Sequence, residues 1–188
     1  MLRQMNEKDR YVLIVVDMQP DQAAASDPAI LRAVCREIEE AKHRQLPIIV
    51  LEFPEQNQLH KIRYQAEEAG KPFPIGRTEV EHPLTLPSVM MLLDGYEHKT
   101  VRQKFDFSGA IEVFYACHDH GWPKTAFRLV GVYAFSCVLR TAEGLAEINP
   151  YADLTVVQDA CGYEPRWGAN WFKFDGVATI VSSQPEAA

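Results

Sequence analysis

One cysteine of this sequence, Cys137, stands where a nucleophile would be activated. It follows an apolar, β-branched run over residues 129–132 and a short stretch of small residues, and it begins a segment with helical patterning. The first N–H groups of a helix lack intrahelical partners and carry the positive end of the helix dipole, so this position favours a thiolate over a thiol. The alternative interpretation is a small buried hydrophobe, which is a common role for an unpaired cysteine.

Two charged residues occupy comparable positions and would supply what a reactive cysteine needs. Asp17 directly follows the apolar run 11–16, and Lys104 follows a less apolar run at 98–103. A carboxylate can take the thiol proton and an ammonium can hold the thiolate, provided that both lie within hydrogen-bonding reach. Each residue also has an ordinary interpretation, since Asp17 could form a turn and Lys104 could be a solvated surface lysine.

The predicted elements bring these three residues to one edge of a sheet. Strands are predicted at residues 11–16, 46–51, 98–103, 125–132, 154–157 and 177–181. Helices are predicted between them at residues 26–41, 88–93, 111–118 and 137–148. Strands that alternate with helices indicate an α/β fold with right-handed crossovers, and such folds bind ligands at the carboxyl ends of their strands. Because Asp17, Lys104 and Cys137 each fall just beyond a predicted strand, one crevice would hold all three.

The least regular part of the sequence follows the second strand. Residues 55–70 have helical patterning but are mostly polar, and residues 71–87 carry several prolines. We interpret this stretch as a surface excursion that forms either a lid or a subunit contact. Its side chains that could meet an anionic substrate, although each is singly more typical of a solvated surface, are Arg63, Arg77 and His82.

Composition bounds the class of protein. The chain has 188 residues, of which 47% are hydrophobic and 24% charged, and this suits one domain over residues 1–188 with a core at about 11–181. Its net charge of −7 leaves no basic stripe for nucleic acid or an acidic membrane. No apolar stretch is long enough to span a membrane and the first ten residues lack a signal-peptide core, so we expect a cytoplasmic protein with unpaired cysteines.

Other motifs indicate no cofactor. His118 and His120 lie two positions apart, and since such residues point to different faces of a helix, a chance pairing is favoured over a metal site. No G-x-G-x-x-G or Walker A pattern follows a predicted strand, so we expect no nucleotide cofactor. Asp159 and Cys161 lie near the end of the fifth predicted strand, where the aspartate is interpreted as a turn residue.

Several stretches of the sequence resemble the isochorismatase-like cysteine hydrolases, a family that includes nicotinamidases and N-carbamoylsarcosine amidohydrolases. These stretches are Val15-Val16-Asp17-Met18-Gln19, Lys104 before an aromatic turn, Gly131-Val132-Tyr133-Ala134-Phe135-Ser136-Cys137-Val138 with Thr141-Ala142, and Val156-Val157-Gln158-Asp159-Ala160. The resemblance runs in order from about residue 11 to about residue 181 and so covers nearly the whole chain.

The resemblance implies a fold and a set of site residues. The Asp-Lys-Cys triad of the family maps onto Asp17, Lys104 and Cys137, and its fold is a three-layer α/β/α, Rossmann-like arrangement with a six-stranded, mostly parallel sheet. A non-proline cis peptide bond of the family would fall at Val132–Tyr133 and would turn the Tyr133 N–H toward the site. Together with the Cys137 N–H, this group would form an oxyanion hole. The family also implies a homo-oligomer, either a dimer or a tetramer.

The function implied is cysteine-dependent hydrolysis of a small amide-type C–N substrate through a thioester, without a cofactor. Nicotinamidases hold a metal with an Asp and two His after the second strand, whereas this loop reads Glu52-Phe53-Pro54-Glu55-Gln56-Asn57 with His60 as its nearby imidazole, so a metal-dependent nicotinamidase is not expected. The turn before Cys137 also resembles that of true isochorismatases, which cleave a vinyl ether and need no cysteine there. The alternatives are therefore C–O hydrolysis of that kind and a non-catalytic binding role.

Overall fold

The computed structural model describes residues 10–54, 70, 80 and 83–183. Within these residues strands and helices alternate along the chain: β1 (Val12–Val16), α1 (Pro28–His43), β2 (Ile48–Glu52), α2 (Pro87–Leu93), β3 (Lys99–Gln103), α3 (Ala110–His120), β4 (Ala126–Val132), α4 (Leu139–Ile148), β5 (Asp153–Gly162) and β6 (Thr179–Val181). None of these helices is long and apolar enough to cross a bilayer. The surface excursion lies mostly outside the described residues, and so do His60, Arg63, Arg77 and His82.

The strands form one six-stranded sheet in the order β3-β2-β1-β4-β5-β6. Every neighbouring pair is parallel, so the prediction of an α/β fold with a mostly parallel sheet is confirmed and the sheet is wholly parallel. The chain builds outward from β1 to β3 and then returns to pair β4 with the other edge of β1. The boundary between β1 and β4 is therefore the switch point at which open α/β sheets bind their ligands.

The sheet is buried on both faces, which explains why β1 is continuously apolar. Val12, Ile14 and Val16 pack with residues of α3 and α4 on one face. Leu13 and Val15 pack with residues of α1 and α2 on the other. The molecule is thus the three-layer α/β/α arrangement that the sequence predicts.

Helix α1 begins where its capping signal stands. The Asp27 carboxylate accepts a hydrogen bond from the N–H of Ala29 at 2.7 Å, and Pro28 occupies the first turn. Further along the helix, the Arg128 guanidinium of β4 donates to both carboxylate oxygens of Glu37, at 2.5 and 2.9 Å. This bidentate ion pair holds α1 against the centre of the sheet.

Two elements differ from the sequence prediction. A wide π-type turn at Ala134–Val138 precedes α4, so Cys137 lies in this turn and not in the first turn of the helix. Strand β5 continues through Gly162 and therefore contains Asp159, whose carboxylate accepts from the Ser183 N–H at 2.7 Å. A contact with a residue far along the chain thus stabilises Asp159 within the strand, whereas the sequence predicts a turn there.

Candidate active site

Asp17 lies at the carboxyl end of β1 in a left-handed backbone conformation, with a φ of 48°. Its N–H donates to the carbonyl of Leu51 at 2.9 Å and so extends the pairing of β1 with β2 by one residue. The positive φ then turns the chain out of the sheet, and Asp is among the few residues that tolerate this conformation. Because Asp17 is only 1% exposed, it is a buried carboxylate and not the solvated turn residue of the alternative interpretation.

Lys104 follows β3, and its side chain is fully buried, with 0% exposure. Its Nζ lies 3.0 Å from Asp17 Oδ2 and donates to the carbonyls of Asp106 at 3.1 Å and Phe107 at 3.3 Å. The ammonium also lies over the ring of Phe53, 3.4 Å from its centroid. Three oxygen atoms thus surround the three N–H groups of the ammonium and hold it in place beside Asp17.

Cys137 lies beside the Asp17 carboxylate and is 5% exposed. Burial raises the pKa of its thiol to about 11, and the Asp17 carboxylate acts in the same direction, while Lys104 and the Tyr133 N–H lower it. The position before a helix favours a thiolate, whereas burial and the neighbouring carboxylate favour the thiol in the resting protein. Burial and a neighbouring carboxylate outweigh the cation, so the proton stays on sulfur until a base removes it.

Asp17 has the properties of that base. Burial raises its pKa to about 6, while the charge of Lys104 and the contact with Cys137 lower it. The carboxylate is therefore ionised near neutral pH and yet takes up a proton more readily than an exposed aspartate does. The arrangement can move the Cys137 proton to Asp17 beside a fixed positive charge.

The structure brings Asp17, Lys104 and Cys137 together from three separate segments. Asp17 extends β1 and Lys104 extends β3, and these two strands flank β2. Lys104 continues the pairing of β3 with β2, because its N–H donates to the carbonyl of Glu52 at 2.9 Å. Cys137 comes from the turn after β4, the other neighbour of β1. Parallel strands end at the same edge of a sheet, and the sequence prediction that these three residues lie together rests on that rule.

Sequence reasoning missed a second buried carboxylate at this edge, that of Glu52. Its Oε2 accepts from the N–H groups of Leu84 at 2.9 Å and Thr85 at 3.1 Å, and from the Thr85 hydroxyl at 3.0 Å. Burial raises the pKa of Glu52, and the charge of Asp17 adds to that effect. Glu52 ends a buried strand as Asp17 and Lys104 follow theirs, so the same positional signal could have found it.

Thr141, which the sequence marks only through the family resemblance, joins two parts of the site. Its buried hydroxyl donates to the carbonyl of Cys137 at 2.7 Å and accepts from the N–H of Gly109 at 3.0 Å. Gly109 ends the loop that supplies the carbonyl acceptors of Lys104. A polar residue one helical turn after the cysteine, inside an apolar stripe, was the available signal.

The Val132–Tyr133 peptide bond is cis, as the resemblance implies. The N–H of Tyr133 lies against the Cys137 sulfur. The Tyr133 ring packs edge-on to Trp167, with 5.8 Å between centroids, and lines a cleft of about 520 Å³. The other residues lining this cleft, which do not include Asp17, Lys104 or Cys137, are Ala23, Ala24, Asp27, Ile30, Gly162, Tyr163, Glu164, Pro165, Gly168 and Ala169.

The remaining candidate residues lie away from this site or outside the described residues. All four cysteines are free thiols, as predicted. His120 stacks on Trp122 with 4.4 Å between ring centroids, which gives it a packing role. In the part of the chain that the structure describes, no group of three His, Cys, Asp or Glu side chains could hold a metal ion. Residues 55–60, which bear on the metal-dependent alternative, lie outside that part.

Solved structures share this fold over nearly the whole chain. N-carbamoylsarcosine amidase from Thermoplasma acidophilum is 18% identical with a TM-score of 0.61, and the match covers 95% of this chain and 99% of that one. The nicotinamidase of Staphylococcus aureus is 15% identical with a TM-score of 0.64, covering 92% and 99%. MAR1 ribonuclease from Caenorhabditis elegans is 23% identical with a TM-score of 0.61, covering 92% and 76%.

Other matching structures are described as isochorismatase-family proteins. No protein-family model matches the sequence, and no curated protein matches it at a significant level. At these identities the likeness establishes the fold, which is that of the isochorismatase-family hydrolases. The fold implied by the sequence resemblance is thereby confirmed.

Proposed function

We propose that this protein is a cysteine-dependent hydrolase that cleaves a C–N bond of a small amide-type substrate through a thioester. One observation carries the proposal: a buried ion pair, with 3.0 Å between Lys104 Nζ and Asp17 Oδ2, lies beside the thiol of Cys137. Burying two charges costs several kcal/mol each, so such a pair makes a poor stabilising device. Beside a thiol, the same pair supplies a base and a compensating charge.

The first half of the reaction makes the thioester. Asp17 removes the Cys137 proton while the sulfur attacks the substrate carbonyl carbon, and Lys104 offsets the negative charge. The carbonyl oxygen becomes an oxyanion, which the N–H groups of Tyr133 and Cys137 stabilise. The C–N bond then breaks, and the proton held by Asp17 passes to the leaving nitrogen, so that ammonia or an amine departs.

The second half consumes water. Asp17, again a carboxylate, takes a proton from water as the oxygen attacks the thioester carbon. The C–S bond breaks, the proton returns to the sulfur of Cys137, and a carboxylic acid leaves. One substrate and one water thus give an acid and an amine, and the site is restored without a further co-reactant.

Chemistry and fold neighbours both favour C–N over C–O cleavage. A thiol is useful when an acyl group must be held covalently, and cleavage of a vinyl ether requires no such group. N-carbamoylsarcosine amidase and nicotinamidase, both amidases by name, share the fold. The net charge of −7 opposes binding of RNA, so the ribonuclease neighbour does not supply the substrate class.

The Tyr133 cleft is the space we assign to the part of the substrate that does not react. Its lining is mostly small or aromatic, and its carboxylates, Asp27 and Glu164, disfavour an anionic group. Tyr133 joins this cleft to the cysteine, because its N–H faces the sulfur and the residue also lines the cleft. We therefore expect the substrate to be a neutral or cationic small amide.

The homo-oligomer that the sequence resemblance implies remains a proposal.

The decisive experiment compares Cys137→Ala with the wild-type protein. Ammonia release is measured with primary amides, ureido acids and nicotinamide, and pyruvate release with vinyl ethers of the chorismate type. We expect wild-type ammonia release to fall by at least about a thousandfold in Cys137→Ala, since this variant lacks the thiol that forms the proposed thioester. The matched control is Cys35→Ala, which removes a half-buried cysteine of α1 and should leave the rate unchanged.

Three results would contradict the proposal. Hydrolysis that survives in a folded Cys137→Ala variant would exclude the nucleophile. Pyruvate release without ammonia release would establish C–O chemistry instead. Binding of these compounds without any turnover by the wild-type protein would favour the non-catalytic role.

A further inference from the structure

We propose that Gln19 and Phe53 form a positioning pair that holds the Lys104 ammonium against Asp17. This inference rests on the proposed function, because it assigns the two residues to the same site. Neither residue is expected to touch the reacting atoms. They act through Lys104, whose position sets the charge that Asp17 and Cys137 experience.

Gln19 fixes the backbone of Phe53 with both ends of its side-chain amide. Its Nε2 donates to the carbonyl of Phe53 at 2.9 Å, and its Oε1 accepts from the N–H of Phe53 at 2.8 Å. Gln19 is 3% exposed, so this pair of bonds is shielded from water. Two hydrogen bonds to one residue define its orientation as well as its position.

The orientation of Phe53 matters because its ring covers the catalytic cation. Lys104 Nζ lies 3.4 Å from the ring centroid, well within the range of a cation–π contact. The Phe53 ring in turn meets that of Phe107 edge-on, with 6.4 Å between centroids. The ring attracts the ammonium and excludes water from it, so the cation stays close to Asp17 and its field is little screened.

A lysine needs such help more than most residues do. Its side chain has four rotatable bonds, and ordering it costs more entropy than ordering almost any other side chain. Gly109 leaves room for the stem of Lys104, since a Cβ added at this glycine would lie only 3.2 Å from the Lys104 Cδ.

The choice of an amide at position 19 fits the charge of this region. The buried carboxylates of Asp17 and Glu52 already lie here. A glutamate at position 19 would add a third negative charge and could not donate to the Phe53 carbonyl. Glutamine gives one donor and one acceptor and leaves the net charge unchanged.

The electrostatic readout is the titration of Asp17. The titratable groups facing this carboxylate are Lys104, Cys137, Glu52 and Asp21. Among these four groups Lys104 carries the positive charge and lowers the pKa of Asp17. If the ammonium moves away, the pKa of Asp17 must therefore rise, whereas a purely structural loss would not move it in a defined direction.

The test compares Phe53→Leu with Phe53→Tyr. The leucine keeps an apolar cover but removes the ring face, and the tyrosine keeps the ring. We expect Phe53→Leu to lower kcat about tenfold with little change in KM, and the acid limb of kcat/KM to shift upward by about half a pH unit or more. Phe53→Tyr should recover most of both effects, and Phe172→Leu, at an exposed phenylalanine, should behave as wild type.

A second measurement needs no substrate. The Asp17 carboxyl is titrated by ¹³C NMR in the wild-type protein, in Phe53→Leu and in Gln19→Met, which removes both hydrogen bonds to Phe53 without adding a charge, with folding checked by circular dichroism. An upward shift in both variants supports the positioning role, even if the wild-type protein hydrolyses no amide and the proposed function fails. An unchanged titration and acid limb in folded Phe53→Leu would overturn it. If that variant does not fold, an unchanged titration in the uncharged Gln19→Met variant overturns the proposal instead.

Discussion

At the scale of single residues, the main feature of the site is that its charged groups are buried away from solvent. Asp17 and Lys104 are buried together, and Cys137 keeps its proton because burial raises its pKa to about 11. In the resting protein the reactive groups are therefore a thiol beside a carboxylate, and not a free thiolate. This arrangement protects the sulfur from unspecific alkylation, since the thiolate is the reactive form.

This charge balance predicts how activity depends on pH. Asp17 must be ionised to accept the Cys137 proton, and its pKa is raised to about 6. We expect kcat/KM to rise with pH through an acid limb near pH 6 and to level off above it. The pH–rate profile is measured with the best amide at constant ionic strength, and the limb belongs to the coupled pair as a whole. A flat profile between pH 5 and 7 would contradict the assignment of Asp17 as the base.

At the scale of elements, the site depends on how closely β4 approaches β1. Gly131 of β4 is paired with Val16 of β1 and has a φ of 117°. A Cβ added there would lie 2.1 Å from the carbonyl oxygen of Val16. Only a glycine fits this contact, which sets the separation of the strands that carry Asp17 and lead to Cys137.

Replacing this glycine should therefore be severe. We expect Gly131→Ala to lower the free energy of unfolding by at least about 3 kcal/mol, because the β1 backbone cannot give way without displacing Asp17. The matched control is Gly176→Ala, which has a positive φ of 74° but open space around it. That control should cost only about 1 kcal/mol. Urea denaturation of both variants measures the difference, and equal losses would show that φ and not crowding matters.

Elements also show how far the sequence could predict the structure. β1 and β2 are continuously apolar and α1 has a capping residue followed by proline, so local physics fixes their positions. The turn that holds Cys137 is different, since its bond from the Val138 N–H to the Tyr133 carbonyl at 3.1 Å widens it into a π-type turn. The continuation of β5 likewise depends on the pairing of Cys161 and Gly162 with β4, across a shift in register. Such features need tertiary contacts, which periodicity does not contain.

The candidate site shows the same division. Asp17, Lys104 and Cys137 were found from sequence because a simple rule places strand ends together. Gln19 and Thr141 were not, since their importance lies in bonds to Phe53, Cys137 and Gly109 that only the folded chain brings within reach.

At the scale of the whole molecule, the position of the Tyr133 cleft indicates the path by which a substrate would reach Cys137. The cleft is built from segments at the carboxyl ends of β1, β4 and β5, so it spans the switch point between β1 and β4. The triad draws instead on β1, β3 and the turn after β4. A substrate that reaches the sulfur past Tyr133 would therefore lie across the centre of the carboxyl edge.

Filling the cleft tests this path. We expect Ala23→Trp to raise KM about tenfold or more for amides with a bulky arm, while formamide-sized substrates keep their kcat/KM. Glu147→Trp, at an exposed position of α4, is the control for a surface tryptophan. Steady-state kinetics with a series of amides of increasing size provides the measurement. An equal effect on small and large amides would place the substrate's arm elsewhere.

The order of strands in the sheet also governs how the site arises during synthesis. The ribosome delivers β1, β2 and β3 first, and they can form only one half of the sheet, which ends at β1. Until β4 emerges, the free edge of β1 exposes unpaired N–H and C=O groups that invite pairing with another chain. Cys137 follows β4 directly in the chain, so the nascent protein lacks the proposed nucleophile for as long as this edge is bare. The arrival of β4 therefore covers the free edge of β1 and brings the proposed nucleophile to the site in one step.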